Sequence, residues 1–277
     1  MLSTNKIAII TITHNSEKEL KLYFESLKEN DLISQVILLD SGSDDSSYLN
    51  EYKKNPIVTV IQDGNIGFCK GNNNAILYLN DDIDYVAFIN PDIIFDEQVF
   101  DKLISDIENN KNIAMISPLL YRYMFKKNGE IIKTDEIDSA GIMKTWYGRY
   151  YDSQKILSNN IYFPVALCGA FLFCQLSAIR NLGIKKNKLF DEDFYMYKED
   201  IELSLRCKKN NYQVALDPNI KSYHGRGWKK REKISYWQKN ISSINDFRLL
   251  KFMPFCERAI AWLYYLIKRL YVLVIEK

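Results

Sequence analysis

Short apolar runs alternate with amphipathic stretches along the first half of the chain. Lys6–Ile12, Gln35–Leu39, Ile57–Ile61, Tyr85–Ile89 and Ile113–Ser117 are rich in aliphatic residues and bounded by polar ones. Runs that do not alternate between apolar and polar mark strands buried on both faces. After the first run, Ser16 precedes Glu17 and Glu19, and Leu20, Phe24 and Leu27 recur on one helical face. Ser16 suits a helix cap, and acids in the first turn complement the helix dipole. Further helices are predicted at Gly71–Leu79 and Asp96–Asn109. Strands separated by helices imply an α/β fold with a mostly parallel, Rossmann-like sheet flanked by helices. Ligands of such sheets gather in the loops beyond the strand ends, so the polar residues there are the candidates for chemistry.

The pattern breaks from Leu119 to Phe163, a polar and aromatic stretch punctuated by Gly129, Gly141 and Gly148. It is predicted to be a long irregular segment, and such segments often carry function. Pattern returns at Val165–Cys174, with a helix over Glu199–Lys209 and short strands at Gln213–Leu216 and Ser222–His224. At the carboxyl end, Ala259–Ile267 and Leu270–Ile275 are apolar runs interrupted by Lys268 and Arg269. Neither approaches the ~18–20 residues that span a bilayer. The spacings of Lys251, Arg258 and Arg269 place them on one helical face, with Trp262, Tyr264, Tyr265 and Tyr271 supplying amphipathic rings. Two readings stay open: a helix lying in a membrane interface, or a terminal helix docked on the protein's own core or a second subunit.

Composition narrows the function. The 277 residues are 47% hydrophobic and 13% aromatic, enough for a large core. With 37 Lys+Arg against 35 Asp+Glu, the net charge of +2 excludes the basic footprint of a nucleic-acid binder. Two histidines exclude a three-imidazole metal centre. Five cysteines without C-x-x-C spacing, and an amino end without a secretion signal, point to a reduced, cytoplasmic protein.

Four polar clusters follow predicted strands. Thr13-His14-Asn15 offers a flat imidazole that could stack on a nucleobase, or merely starts a helix. Asp40-Ser41-Gly42-Ser43-Asp44-Asp45-Ser46 places a carboxylate at a strand end, where it could meet a base or ribose, or simply forms a turn. Asn65-Ile66-Gly67-Phe68-Cys69-Lys70-Gly71-Asn72-Asn73-Asn74 combines glycines with asparagines that can bridge sugar and phosphate oxygens. Its spacing matches neither a dinucleotide fingerprint nor a P-loop. Asn90-Pro91-Asp92 puts a hard carboxylate where a divalent cation could bridge a diphosphate, though it is also an ordinary turn. The run Lys229-Lys230-Arg231 suits a diphosphate clamp, anionic lipid or a solvated face. Phe171, Trp146 and Tyr147 suit an acceptor surface or ordinary packing.

Taken in order, and with Phe190-Asp191-Glu192-Asp193-Phe194-Tyr195-Met196-Tyr197-Lys198-Glu199-Asp200 continuing to Arg206, these clusters resemble family 2 glycosyltransferases with a GT-A fold. The resemblance runs from about Ile7 to Gly227 and is strongest to the rhamnosyltransferase-like branch that builds bacterial surface polysaccharides. That branch reads roughly T-Y-N, V-D-N-x-S-x-D, N-x-G-F-x-x-G-N-N, N-P-D and F-D-E-x-F-F-M-Y-x-E-D-x-D-L-x-x-R, with a histidine shortly after. Here His14 replaces the commoner tyrosine, Ser41 an asparagine, Lys70 a small residue and Ala75 a glycine. Asn90-Pro91-Asp92 supplies one carboxylate where many relatives have two.

The resemblance implies an inverting, metal-dependent hexosyltransferase that uses Mg²⁺ or Mn²⁺. Its donor would be a nucleotide diphosphate-sugar, with dTDP-L-rhamnose favoured over UDP-hexose, UDP-N-acetylhexosamine or furanose donors. Its acceptor would be lipid-linked or an oligosaccharide, at the cytoplasmic face of the cell membrane, with peripheral membrane contact. Thr13, His14, Asn15, Asp40, Gly67, Asn72, Asn73 and Asp92 would bind the donor, with Gly67 permitting its close approach. Asp92 and His224 would hold the metal. Asp200 would be the general base, with Glu199 beside it. Both histidines are therefore expected at one pocket. Residues 1–228 would form the GT-A domain, with a nucleotide-sugar half over 1–118 and an acceptor half over 119–228, and 229–277 a helical extension. A nucleotidyltransferase would instead need a Gly-rich loop and a basic residue after the first strand. A non-catalytic nucleotide-sugar binder or assembly subunit would have no need of Asp92, Asp200 and His224 together.

Overall fold

The computed structural model describes residues 5–27, 30–96, 98–126, 129–183, 188–225 and 235–274. The basic run Lys229-Lys230-Arg231 lies outside them. The first apolar run forms strand β1 (Ile7–Thr13), followed by helix α1 (Glu17–Ser26), β2 (Ile33–Ser41), β3 (Val58–Asp63), helix α2 (Gly67–Ile76), β4 (Tyr85–Ile89) and β5 (Ile93–Phe95). Then come α3 (Val99–Asn109), β6 (Ile113–Phe125), β7 (Ile131–Ser139), β8 (Ile142–Lys144) and β9 (Tyr150–Asp152). The chain continues through β10 (Phe171–Gln175), α4 (Leu176–Arg180), α5 (Glu199–Lys209) and β11 (Gln213–His224), and closes with α6 (Tyr236–Arg248) and α7 (Phe255–Val274).

The main sheet has the order β3-β2-β1-β4-β10-β6-β11-β5, with β7 paired to β6. β1 lies parallel to β2 and β4, β2 to β3, and β6 to β11, whereas β10 runs antiparallel between β4 and β6. Side chains alternate across this sheet. Ala8 and Ile10 face one core with Cys69 and Ala75 of α2 and Leu203 and Cys207 of α5. Ile7 and Ile9 face the other with Leu20 and Tyr23 of α1 and Phe100 and Leu103 of α3. The fold is α/β, with a mostly parallel central sheet and carboxyl-terminal helices, as the sequence implies.

Three local expectations are corrected. The stretch Leu119–Phe163 is not irregular: it carries the second half of β6 and the strands β7, β8 and β9. Its signal fails because β7 lies at an edge, with Lys133, Asp135 and Glu136 exposed, so it lacks the apolar run of a central strand. The two short strands predicted near residue 216 are one strand, β11, interrupted between Asp217 and Lys221 where Pro218 lacks a ladder N–H. Lys251, Arg258 and Arg269 do not form one face of a helix, since Lys251 lies in a 3₁₀ turn (Leu249–Phe252) before α7. Their polar groups bond within the protein: Lys251 to Asp191 at 3.2 Å, Arg258 to the Met253 carbonyl at 2.9 Å, and Arg269 to Ser243 at 2.8 Å.

Helix α7 has two unlike faces. Ala261, Tyr265 and Val272 are buried, and the Tyr265 hydroxyl donates to the Gly148 carbonyl at 2.6 Å. On the outer side Ile260, Leu263, Ile267, Leu270 and Val274 are exposed. Among the described residues no helix is long and apolar enough to cross a membrane.

Candidate active site

Parallel strands place their carboxyl ends on one edge, and the predicted clusters fall along it. At the end of β1 the Thr13 hydroxyl lies 3.1 Å from that of Tyr48, and His14 Nδ1 donates to the Ser41 carbonyl at 3.0 Å. Asn15 exchanges hydrogen bonds of 2.9 Å with Asp44. Asp40, at the end of β2, is buried and accepts from the Ser43 hydroxyl at 2.5 Å. The Asn72 amide donates to the Phe68 carbonyl at 2.9 Å, one helical turn back. Asn73 clasps a distant loop, accepting from the Phe190 N–H at 2.9 Å and donating to the Phe190 carbonyl at 2.9 Å and Glu192 Oε1 at 3.0 Å. Gly67 adopts φ +79°, and a Cβ there would lie 2.6 Å from the Tyr195 ring. The space that a side chain at residue 67 would need is taken by the Tyr195 ring.

The other predicted residues converge. Asp92, Glu199, Asp200 and His224 line one cleft of about 520 Å³, with Tyr151 and Lys198 among its other walls. His14 is not among them. It lies four strands from His224 in the sheet order, about 19 Å along the edge at the usual interstrand spacing. The expectation of one pocket shared by both histidines is therefore corrected: they stand on one edge, at separate places.

Backbone geometry aims the carboxylates. Asp200 occupies the first turn of α5, where its Oδ2 accepts from the Gly169 N–H and its Oδ1 from the Ile201 N–H, both at 2.8 Å. A Cβ at residue 169 would lie 3.0 Å from that of Asp200, so glycine allows this contact. Glu199 points differently, being one residue away on a helix. It is buried, its Oε2 has no partner among the described residues, and burial together with the Asp200 charge pushes its carboxyl up to about 8.

Across the cleft, His224 Nε2 lies 3.4 Å from Asp92 Oδ1 while its Nδ1 lies 2.8 Å from Asp138 Oδ2. Burial disfavours a charged ring there, but Asp92 and the bond to Asp138 outweigh it and lift the imidazole to about 9. Burial also opposes ionisation of Asp92, and the His224 charge overrides it to hold that carboxyl below its usual range. A divalent cation bound there would have to displace that proton, because histidine binds a metal through a neutral ring nitrogen. No group of three or more His, Cys, Asp or Glu side chains among the described residues has metal-holding geometry. Two protein ligands with substrate oxygens and water nevertheless fit Mg²⁺ or Mn²⁺, which commonly take few protein ligands beside a phosphate group.

Residues 8–176, more than half of the chain, match the family model described as Glycosyl transferase family 2. The chain belongs to that family. It is 27% identical over 229 residues to rhamnosyltransferase WbbL of Escherichia coli K12, covering 79% of this chain and 83% of that protein. It is 22% identical over 229 residues to the low-salt glycan biosynthesis hexosyltransferase Agl10 of Haloferax volcanii, covering 79% of this chain and 66% of that one. In fold it is similar to GalNAc-T7, solved with UDP, GalNAc and Mn²⁺, at a TM-score of 0.65 and 14% identity, covering 92% of this chain and 54% of that one. It is also similar to the mannosyltransferase PcManGT of Pyrobaculum calidifontis, solved with GDP-Man and Mn²⁺, at a TM-score of 0.60 and 11% identity, covering 97% and 74%.

For this glycosyltransferase, sequence reasoning missed Asp138, which joins the site from β7. Arg122 Nε donates to its other oxygen at 3.3 Å. An aspartate following Asp135 and Glu136 in a polar stretch carries no spacing signal, and the pairing of β6 with β7 brings it to His224. The aromatic candidates divide: Phe171 is core, Trp146 is 76% exposed, and Tyr147 packs edge-on against Tyr264 of α7.

Proposed function

We propose that this glycosyltransferase moves a hexose, with inversion, from a nucleotide diphosphate-sugar to a lipid-linked or oligosaccharide acceptor in surface polysaccharide synthesis. The observation that carries the reading is the meeting of Asp200 with the Asp92–His224 pair across one cleft. Asp200 accepts the proton of the acceptor hydroxyl as its oxygen bonds to the anomeric carbon, help typically worth ~10²–10⁴-fold. The bond from that carbon to the diphosphate breaks in the same displacement, and the nucleoside diphosphate leaves with the electron pair. Asp92 and His224 would hold a Mg²⁺ or Mn²⁺ ion, which would supply charge neutralisation for the leaving diphosphate. Asp138 holds His224 by Nδ1, so Nε2 is the nitrogen presented to the cleft.

Thr13, His14, Asn15 and Asp40 lie farther along the same edge, where the nucleoside end of an extended donor rests in this reading. Residues 1–118 then serve the donor and 119–228 the acceptor. Similarity to a rhamnosyltransferase favours dTDP-L-rhamnose, with UDP-hexose, UDP-N-acetylhexosamine or furanose donors as alternatives. The exposed apolar side of α7 supports peripheral contact with the cytoplasmic face of the membrane.

Thermal melting with a panel of these nucleotide-sugars, with and without Mn²⁺, tests the donor assignment, because a specific ligand raises the midpoint by mass action. Asp200→Asn should then abolish turnover while leaving donor binding intact. Lost donor binding in a folded variant, or unchanged turnover, refutes the base assignment.

A further inference from the structure

The segment that leads into Asp200 is strained. Tyr195, Tyr197 and Lys198 have φ of +57°, +68° and +69°, and none is glycine. A residue with a side chain is strained in that conformation, which persists only where its surroundings hold it. Here the holder is one face of α6. The Asn245 amide nitrogen, fully buried, shares its two N–H groups among the carbonyls of Phe194 at 2.9 Å, Met196 at 3.0 Å and Tyr197 at 2.8 Å. Its own oxygen accepts from Arg248 Nη1 at 2.6 Å. Lys198 donates to the Ser242 carbonyl at 2.9 Å and pairs with Asp246. Gln238 Nε2 donates to the Tyr197 hydroxyl at 2.7 Å, and Trp237 meets Tyr195 edge-on. Asp246 also receives Lys268 of α7 at 2.6 Å, so the last helix braces the clamp.

We propose that Asn245 is a positioning residue for the transfer reaction, fixing the strained turn that aims Asp200 into the cleft. This rests on the reading of Asp200 as the base. Three carbonyls that would otherwise relax toward ordinary backbone geometry converge on one side-chain amide. Their release lets residues 195–198 relax, and Asp200 moves with them because it begins the helix that they start. The carboxyl-terminal helices therefore act on the transfer through Asp200, and α6 borders its cleft at Ser242.

The test uses Asn245→Asp, which keeps the shape and the Arg248 contact but loses the donors, and Asn245→Ser, which restores one donor. Nucleoside diphosphate release is measured with the donor that most stabilises the chain in the panel above. A misplaced base costs on the order of 10²-fold in kcat, and KM for the donor is expected to change little, with Asn245→Ser partly recovered. Backbone hydrogen exchange, which needs no turnover, should quicken at residues 199–201 in Asn245→Asp and stay unchanged in β1 and β4. Asp200→Asn is the control: if it turns over normally, the base reading fails. If Asp200→Asn is inactive while folded Asn245→Asp keeps the unaltered kcat or exchange pattern, the positioning proposal alone is overturned. A loss confined to KM, or quickened exchange throughout the sheet, overturns it too.

Discussion

Asn73→Ala separates two accounts of one residue. The family resemblance implies that Asn73 meets the donor, whereas its side chain is bonded to the loop at Phe190 and Glu192. Removing the amide strands the Phe190 N–H and carbonyl, both in the interior, while the Phe190 ring stays wedged edge-on between Phe68 and Phe88. A buried backbone group without a partner costs about 1–3 kcal/mol, so the two together cost about 2–6 kcal/mol. In a chain of this size each kcal/mol lowers the midpoint by about 2–4 °C, which gives a fall of about 4–24 °C. Differential scanning calorimetry measures that fall, and isothermal titration with the selected nucleotide-sugar measures donor affinity below the variant's midpoint. The expected result is a large loss of stability with donor affinity largely kept. An unchanged midpoint with weakened donor binding would refute the clasp and restore the ligand role.

Two further outcomes follow from buried charge. Burial and the neighbouring Asp217 raise the Asp106 carboxyl to about 7 in the folded state, against 3.8 ordinarily. Its contribution is thus fully present below about pH 4 and lost as pH rises through about 7. Asp106→Asn should raise the midpoint at pH 8 by about 2–4 °C, after discounting the shift to about 1 kcal/mol for solvent screening, and do little at pH 4. An equal gain at both values would contradict this. Asp138→Ala removes the carboxylate behind His224 and should weaken Mn²⁺ binding, read by electron paramagnetic resonance in the presence of UDP or dTDP, by about 10–100-fold. Undiminished Mn²⁺ affinity would show that His224 needs no such support.

What was readable in the chain followed from local physics. Central strands buried on both faces appear as unbroken apolar runs, so β1, β2, β4 and the start of β6 stood out. Helix α5 has the predicted bounds because its acids and bases sort to its two ends. The motifs Asn90-Pro91-Asp92 and Phe190 to Arg206 were legible because each is a short contiguous run. By contrast, Asp138 reaches His224 across 86 positions, and Asn245 grips a turn about fifty residues earlier. Such partnerships leave no period or spacing behind. The glycine at 67 was visible, but the tyrosine that occupies its missing side chain's space was not.

The reversed strand β10 has a consequence for synthesis. β4 and β6 are separated in the sheet by a strand that lies some fifty residues beyond β6 in the chain. While the ribosome is still making residues 126–170, both strands expose unsatisfied edges, and pairing them directly would close the sheet in the wrong order. Unpaired apolar edges of this kind invite aggregation. The nascent amino-terminal half is therefore the stage at which this protein most needs a chaperone or rapid elongation. A chain truncated just before Phe171 should be recovered from the insoluble fraction.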